Sequence, residues 1–147
     1  MFKRIMVPLD GSPFSEAALS HAAVLAKAFD AEILVMHVLV GMQQTTMIAA
    51  ETPELMEQLE TSASRGAEKY LESKAQSLRQ AGYNARSILG VGSSVAQVVV
   101  ETAESEKVDT IVMTSHGFSG LNRLIFGSVA QRVARLAPMP VLLIKPE

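Results

Sequence analysis

Cysteine is absent from the 147 residues, which removes disulfides, thiolate nucleophiles, iron–sulfur clusters and every Cys-based zinc site. An unstapled chain of this size suits a reducing compartment. A large charge of one sign is missing too. Lys and Arg number 13 and Asp and Glu 15, a formal net charge of −2, so no overall basic field exists to hold nucleic acid or an anionic membrane. Neither partner is expected. Long apolar runs are also lacking. Ile33 to Val40, the longest, is interrupted by His37 and is less than half of a membrane span. Ile5 to Leu9 is too short for the apolar region of a signal peptide, and the expectation is a cytoplasmic protein. No Gly-Lys pair occurs, which excludes the Walker loop G-x4-G-K-[ST].

What is present is enough apolar material for a core: 48% of residues are hydrophobic and 19% charged, which argues against disorder. At roughly 150 residues per domain the length allows one domain, residues 1–147, with a single site. Short aliphatic runs bounded by Gly, Pro, Asp or Ser read as buried strands: Ile5 to Leu9, Glu32 to Val40, Ala85 to Val91, Val108 to Met113 and Val141 to Ile144. Between them the apolar spacing is near 3.6, as in Ala18, Ala22, Leu25 and Phe29, which reads as amphipathic helix. Ser12-Pro13 and Thr52-Pro53 each offer an N-cap followed by proline at the first helical position, and Gly82 a C-terminal stop. The strings Ser94 to Gln97 and Ser128 to Gln131 are both SVAQ, and both fit a capping box.

Strict alternation of strand and helix predicts an α/β fold: a five-stranded parallel sheet, doubly wound and Rossmann-like, with helices on both faces. Ligands of such sheets sit beyond the carboxyl ends of the strands, where the strand order switches direction. The places to search are therefore Pro8 to Ser12, His37 to Gly41, Gly90 to Ser94 and Thr114 to Ser128. Gly41 to Glu51 reads as a mobile loop. The proline-flanked last strand, Val141 to Ile144, is expected at a sheet edge, and an apolar edge is usually covered.

Charge is uneven along the chain. Met1 to Ser73 sums to −5 and Lys74 to Glu147 to +3, and Thr110 to Pro146 holds Arg123, Arg132, Arg135 and Lys145 with no acid. Within that stretch, Thr114 to Val133 turns through Gly117 and Gly120 to reach Gly127-Ser128 at the start of the last helix. Glycines admit a ligand close to the backbone, and unpaired amides at a helix start bind phosphate oxygens. Local chemistry alone leaves open the alternative that these glycines only turn the chain and Ser128 only caps the helix.

Resemblance bears on that choice. IMVPLDGS, ILVMHVL, VDTIVMTSHG and GSVAQRVARLAPMPVLLIK together resemble a single-domain universal stress protein, of the adenine nucleotide alpha hydrolase-like fold, over nearly the whole chain. ATP-binding members of that family carry G-x2-G-x9-G-S/T, which falls here on Thr114, Gly117, Gly127 and Ser128, with threonine in place of the first glycine. A β-branched residue there narrows the approach to the backbone, while its hydroxyl offers a hydrogen bond. The resemblance implies ATP, or AMP or ADP, with adenine and ribose near Pro8, Asp10, Val38 and Met113 and phosphates at Gly117, Gly127, Ser128 and Val129. Asp10 would serve the ribose or a phosphate-bound Mg²⁺, or merely form the turn in LDGS. The resemblance further implies a homodimer through Val141 to Ile144 and a regulatory binding module with at most slow ATPase activity. A nucleotide-independent dimeric interaction protein is the second reading.

Two other motifs fall short. GVGSSV at Gly90 to Val95 lacks the third glycine of the dinucleotide fingerprint and follows the wrong strand. HGFSG at His116 to Gly120 misses the hydrolase elbow by one position, leaving Ser115, His116 and Asp10 as a remote triad for a small serine hydrolase.

Overall fold

A computed structural model describes residues 1–41, 52–116 and 127–145. Gly117, Arg123 and the 42–51 part of the expected mobile loop lie outside the described residues. The elements run in order β1 (Arg4–Pro8), α1 (Pro13–Phe29), β2 (Glu32–Val40), α2 (Pro53–Gln80), β3 (Ala85–Gly92), α3 (Val95–Ser105), β4 (Thr110–Thr114), α4 (Ser128–Leu136) and β5 (Val141–Ile144). Each expected strand is present, with ends moved by two residues at most.

All pairings are parallel and the strand order is β3-β2-β1-β4-β5, so β5 does form an edge. Alternation of side chains along each strand sends them into two cores. Ile5, Val7, Ile33, Val35 and Val112 face Ala18, Ala22 and Ala26 of α1 and Leu71 and Ala75 of α2. Met6, Leu34, Met36, Ile111 and Met113 face Ala96, Val99 and Ala103 of α3 and Ala130 and Val133 of α4. The sheet is covered on both faces, as the period-free apolar runs of its strands require. None of the described helices is long and apolar enough to cross a membrane.

Helix ends explain why the chain turns where it does. Ser12 caps α1 by accepting from the Ser15 amide at 3.1 Å, with Pro13 at the first helical position. Gly82, at φ +94°, ends α2 in a Schellman pair: Gly82 N–H donates to Arg79 O and Tyr83 N–H to Leu78 O, both at 3.0 Å. Ser94 caps α3, accepting from Gln97 N at 3.4 Å, but the Gln97 amide donates to Glu101 instead of closing the expected box.

At α4 the expectation fails. Gly127, not Ser128, is the N-cap, and Ser128 is the first helical residue. The first helical bond runs from Gln131 N to Gly127 O at 3.0 Å, whereas in α3 the corresponding bond runs from Val98 N to Ser94 O. A shift of one residue separates two identical tetrapeptides. Its cause is the Gly127 amide, which donates to Ser115 O at 2.6 Å and ties the helix start to the end of β4.

Candidate functional site

Strands β1 and β4 are neighbours in the sheet, and α1 and α4 leave them on opposite faces. Beyond their carboxyl ends the chain diverges and leaves a crevice, at the switch in strand order where this architecture binds ligands. A cavity of about 260 Å³ occupies it, near the lower end of small-molecule pockets, which run from roughly 300 Å³ upward. Pro8, Leu9 and Asp10 form one wall, Met113 to His116 another, and Gly127 to Ala130 a third side, with Ser15 and Val95 completing it.

Seven of the nine residues expected from sequence therefore come together: Pro8, Asp10, Met113, Thr114, Gly127, Ser128 and Val129. Gly117 lies outside the described residues. Val38 is not in the lining; it is buried in the core beneath α3, because residues 34, 36 and 38 of β2 share one face. Sequence reasoning also missed Ser15 and Val95. Ser15 lies within a turn of the LDGS motif and its hydroxyl accepts from Asp10 N at 3.2 Å, so the i+5 spacing was the available signal.

Asp10 has a defined local duty. Its Oδ1 accepts from the Ser12 amide at 2.8 Å and from the Ser12 hydroxyl at 2.5 Å, an Asx turn that leads into α1. The turn also needs Gly11, whose φ of +87° disfavours any residue with a Cβ. Thr114 is 5% exposed and its hydroxyl donates to His116 O at 2.8 Å, so its proton serves the strand end.

The α4 end differs from the starts of α1 and α3. Among the described residues no side chain caps it, and the amides of Ser128, Val129 and Ala130 precede the first helical bond, which starts at Gln131. Three N–H groups with the helix dipole behind them therefore have no acceptor within the helix, and their residues line the cleft. The sequence around them, from Thr110 to Lys145, contains no acid. An anion is the natural complement.

On the wall from Met113 to His116, Ser115 Oγ lies 2.9 Å from His116 Nδ1. The geometry does not suit a serine hydrolase. Ser115 lines the cleft but is fully buried, and His116 turns to it the nitrogen that a triad histidine gives to the carboxylate. His116 Nε2 is buried and meets no partner among the described residues. No group of three or more metal-ligating side chains exists among the described residues. The glycines of the rejected GVGSSV motif have a packing role: a Cβ on Gly90 would lie 2.7 Å from Val98 Cγ1, and one on Gly92 2.4 Å from Val98 Cγ2.

Comparison with known proteins bears on the family and the fold. Universal stress protein MJ0531 of Methanocaldococcus jannaschii is 35% identical over 145 residues, covering 99% of this chain and 83% of its own length. The solved structure of MJ0577 superimposes with a TM-score of 0.84 at 28% identity, over 100% of this chain and 98% of that one. A universal stress protein solved in complex with cAMP shares the fold, with a TM-score of 0.63 at 22% identity over 99% and 98% of the two chains. A model of the universal stress protein family matches residues 1–145, from the first strand through the cleft to the edge strand, and the chain belongs to that family.

Proposed function

We propose that this protein binds an adenine nucleotide, ATP or its relatives AMP and ADP, in the cleft between β1 and β4, and works as a stress-response binding module. The observation that carries the reading is the uncapped start of α4. Its three amides, of Ser128, Val129 and Ala130, precede the first helical bond and belong to residues that line an apolar cleft, in an acid-free stretch of chain. Phosphate oxygens supply acceptors there that no side chain supplies. The nucleoside half lies against Pro8, Leu9, Asp10 and Met113, where aliphatic surface suits a purine. Gly127 contributes by having no side chain; its own amide is engaged by Ser115. Gly117, the remaining glycine of the family pattern, is assigned to the phosphates as well.

Magnesium fits as a companion of the nucleotide and not as a resident ion. It takes one or two carboxylates plus phosphate oxygens, and Asp10 is the carboxylate in the described lining. Catalysis is not what the site is built for. Among the described lining residues, Asp10 Oδ1 is tied into the turn before α1 and His116 Nε2 is buried, and slow ATP hydrolysis is the most this set supports. A second copy pairs through the edge strand β5.

Millimolar ATP with Mg²⁺ is expected to raise the melting temperature, since a ligand at 100 times its Kd stabilises by about 2.7 kcal/mol. Ser128→Pro removes one amide donor at a position where a helix accepts proline. It should weaken ATP by about tenfold, the equivalent of one hydrogen bond to a charged group, with helix content unchanged. Binding that survives in full would place the phosphates elsewhere; no ATP effect on the parent protein would favour the nucleotide-independent reading.

A further inference from the structure

Behind the Leu9–Asp10 wall lies a chain of contacts that the nucleotide motif does not include. The β1–β2 register ends at Pro8 opposite Met36. Leu9 N still donates to Met36 O at 2.7 Å, but the Leu9 carbonyl lies beyond the last registered pair. His37 of β2 meets it, with Nδ1 2.7 Å from Leu9 O. A carbonyl can only accept, so the proton of that bond sits on Nδ1. The imidazole is itself held: its ring packs edge-on against Tyr70 of α2, centroids 6.5 Å apart at 75°. The Tyr70 hydroxyl donates to Glu16 of α1 at 2.7 Å. Lys74 then pairs with Glu16 at 3.0 Å and stands 5.5 Å from the centre of the Tyr70 ring. A chain of contacts through β2, α2 and α1 thus ends on one backbone carbonyl at the edge of the cleft, which His37 alone of these side chains touches.

We infer that His37 is a positioning residue for the nucleotide: its Nδ1–H holds the Leu9 carbonyl and thereby sets the Leu9–Asp10 wall against which the nucleoside half rests. The inference rests on the nucleotide reading and adds to it. A β2 residue that never touches the ligand governs the base and ribose side, while the α4 amides govern the phosphate side. The two halves of the cleft have separate supports, so they can be weakened separately.

Two variants and three ligands test it. His37→Phe keeps an aromatic ring and removes the donor; His37→Asn places an amide N–H at the Nδ1 position. At a temperature where all are folded by circular dichroism, His37→Phe should lose about tenfold in affinity for both AMP and ATP, the scale of one lost hydrogen bond. Inorganic tripolyphosphate should bind it as it binds the parent, and His37→Asn should recover AMP and ATP to within about threefold of the parent. Equal loss of tripolyphosphate would reveal general damage and overturn the inference, as would undiminished AMP binding by His37→Phe. An imidazole nitrogen spectrum of the parent protein, recorded without nucleotide, should show His37 carrying its proton on Nδ1; a neutral ring protonated on Nε2 alone overturns the inference whatever binds. A parent protein that binds neither AMP nor ATP overturns the nucleotide reading and this inference with it.

Discussion

Single residues decide how closely the backbone layers approach one another and the ligand. Gly90 shows the principle away from the site: a Cβ there would meet Val98 Cγ1 at 2.7 Å and Met36 Cε at 2.8 Å. Met36 ends in a flexible methyl that can move, but Val98 is β-branched on a helix and has little rotamer freedom. Gly90→Ala should therefore destabilise by about 1–3 kcal/mol, the usual cost of overpacking, read as a lower denaturant midpoint; an unchanged midpoint would mean that α3 slides without cost. Thr114 is the opposite case. Its hydroxyl is bonded within the chain and its side chain is buried, so threonine in the first position of the glycine pattern is accommodated by the strand end. Neither role was legible in sequence. A glycine after a strand signals close approach but not to what, and spacing alone could not tell that Val38, 7% exposed, stays out of the described cleft lining.

Elements were legible where side-chain chemistry marks their ends. Ser12-Pro13 and Gly82 acted as read. Two other stops were invisible because Asp30, at φ 52°, and Lys107, at φ 55°, occupy left-handed positions where glycine is the usual signal. The α4 start was missed by one residue, since GS permits either residue to cap and only the tie from Gly127 to Ser115 chooses. That one-residue shift puts the amides of Ser128, Val129 and Ala130 ahead of the first helical bond. The contact between α1 and α2 carries a pH dependence of definite sign. Burial raises the Glu16 carboxyl, but the Tyr70 hydrogen bond and Lys74 outweigh it and hold the group below its ordinary 4.5. A depressed acid stabilises the fold above its unfolded value and loses that contribution as pH falls through the folded one. Tyr70 moves the other way: burial, then the bond to Glu16, raise its phenol. Stability should thus fall as pH drops below about 4.5, less steeply in Tyr70→Phe, with melting temperature against pH as the measurement. Identical acid slopes would remove Glu16 from the account.

At the scale of the molecule, the alternation of strands and helices was enough to give a parallel sheet covered on both faces, and the strand order then put the cleft between β1 and β4. Sequence could not supply that order by itself, because it depends on which edge each crossover takes. The same order leaves β5 with one unpaired edge, and Leu142 on it is 42% exposed. Such an edge is a template for a second copy, and we propose that it pairs in a homodimer. Light scattering at micromolar concentration should give twice the chain mass, and Leu142→Lys should shift it toward the monomer. A monomeric parent protein would count against the dimer without touching the cleft.

The central claim is that an adenine nucleotide occupies the cleft with its phosphates on the leading amides of α4, and an amide spectrum of the isotope-labelled protein titrated with ATP and Mg²⁺ tests it most directly. Ser128, Val129 and Ala130 should show the largest shifts, with Leu9 and Asp10 following and the far ends of the strands unmoved. A spectrum unchanged by ATP, or shifts confined to residues away from the β1 and β4 ends, would contradict it.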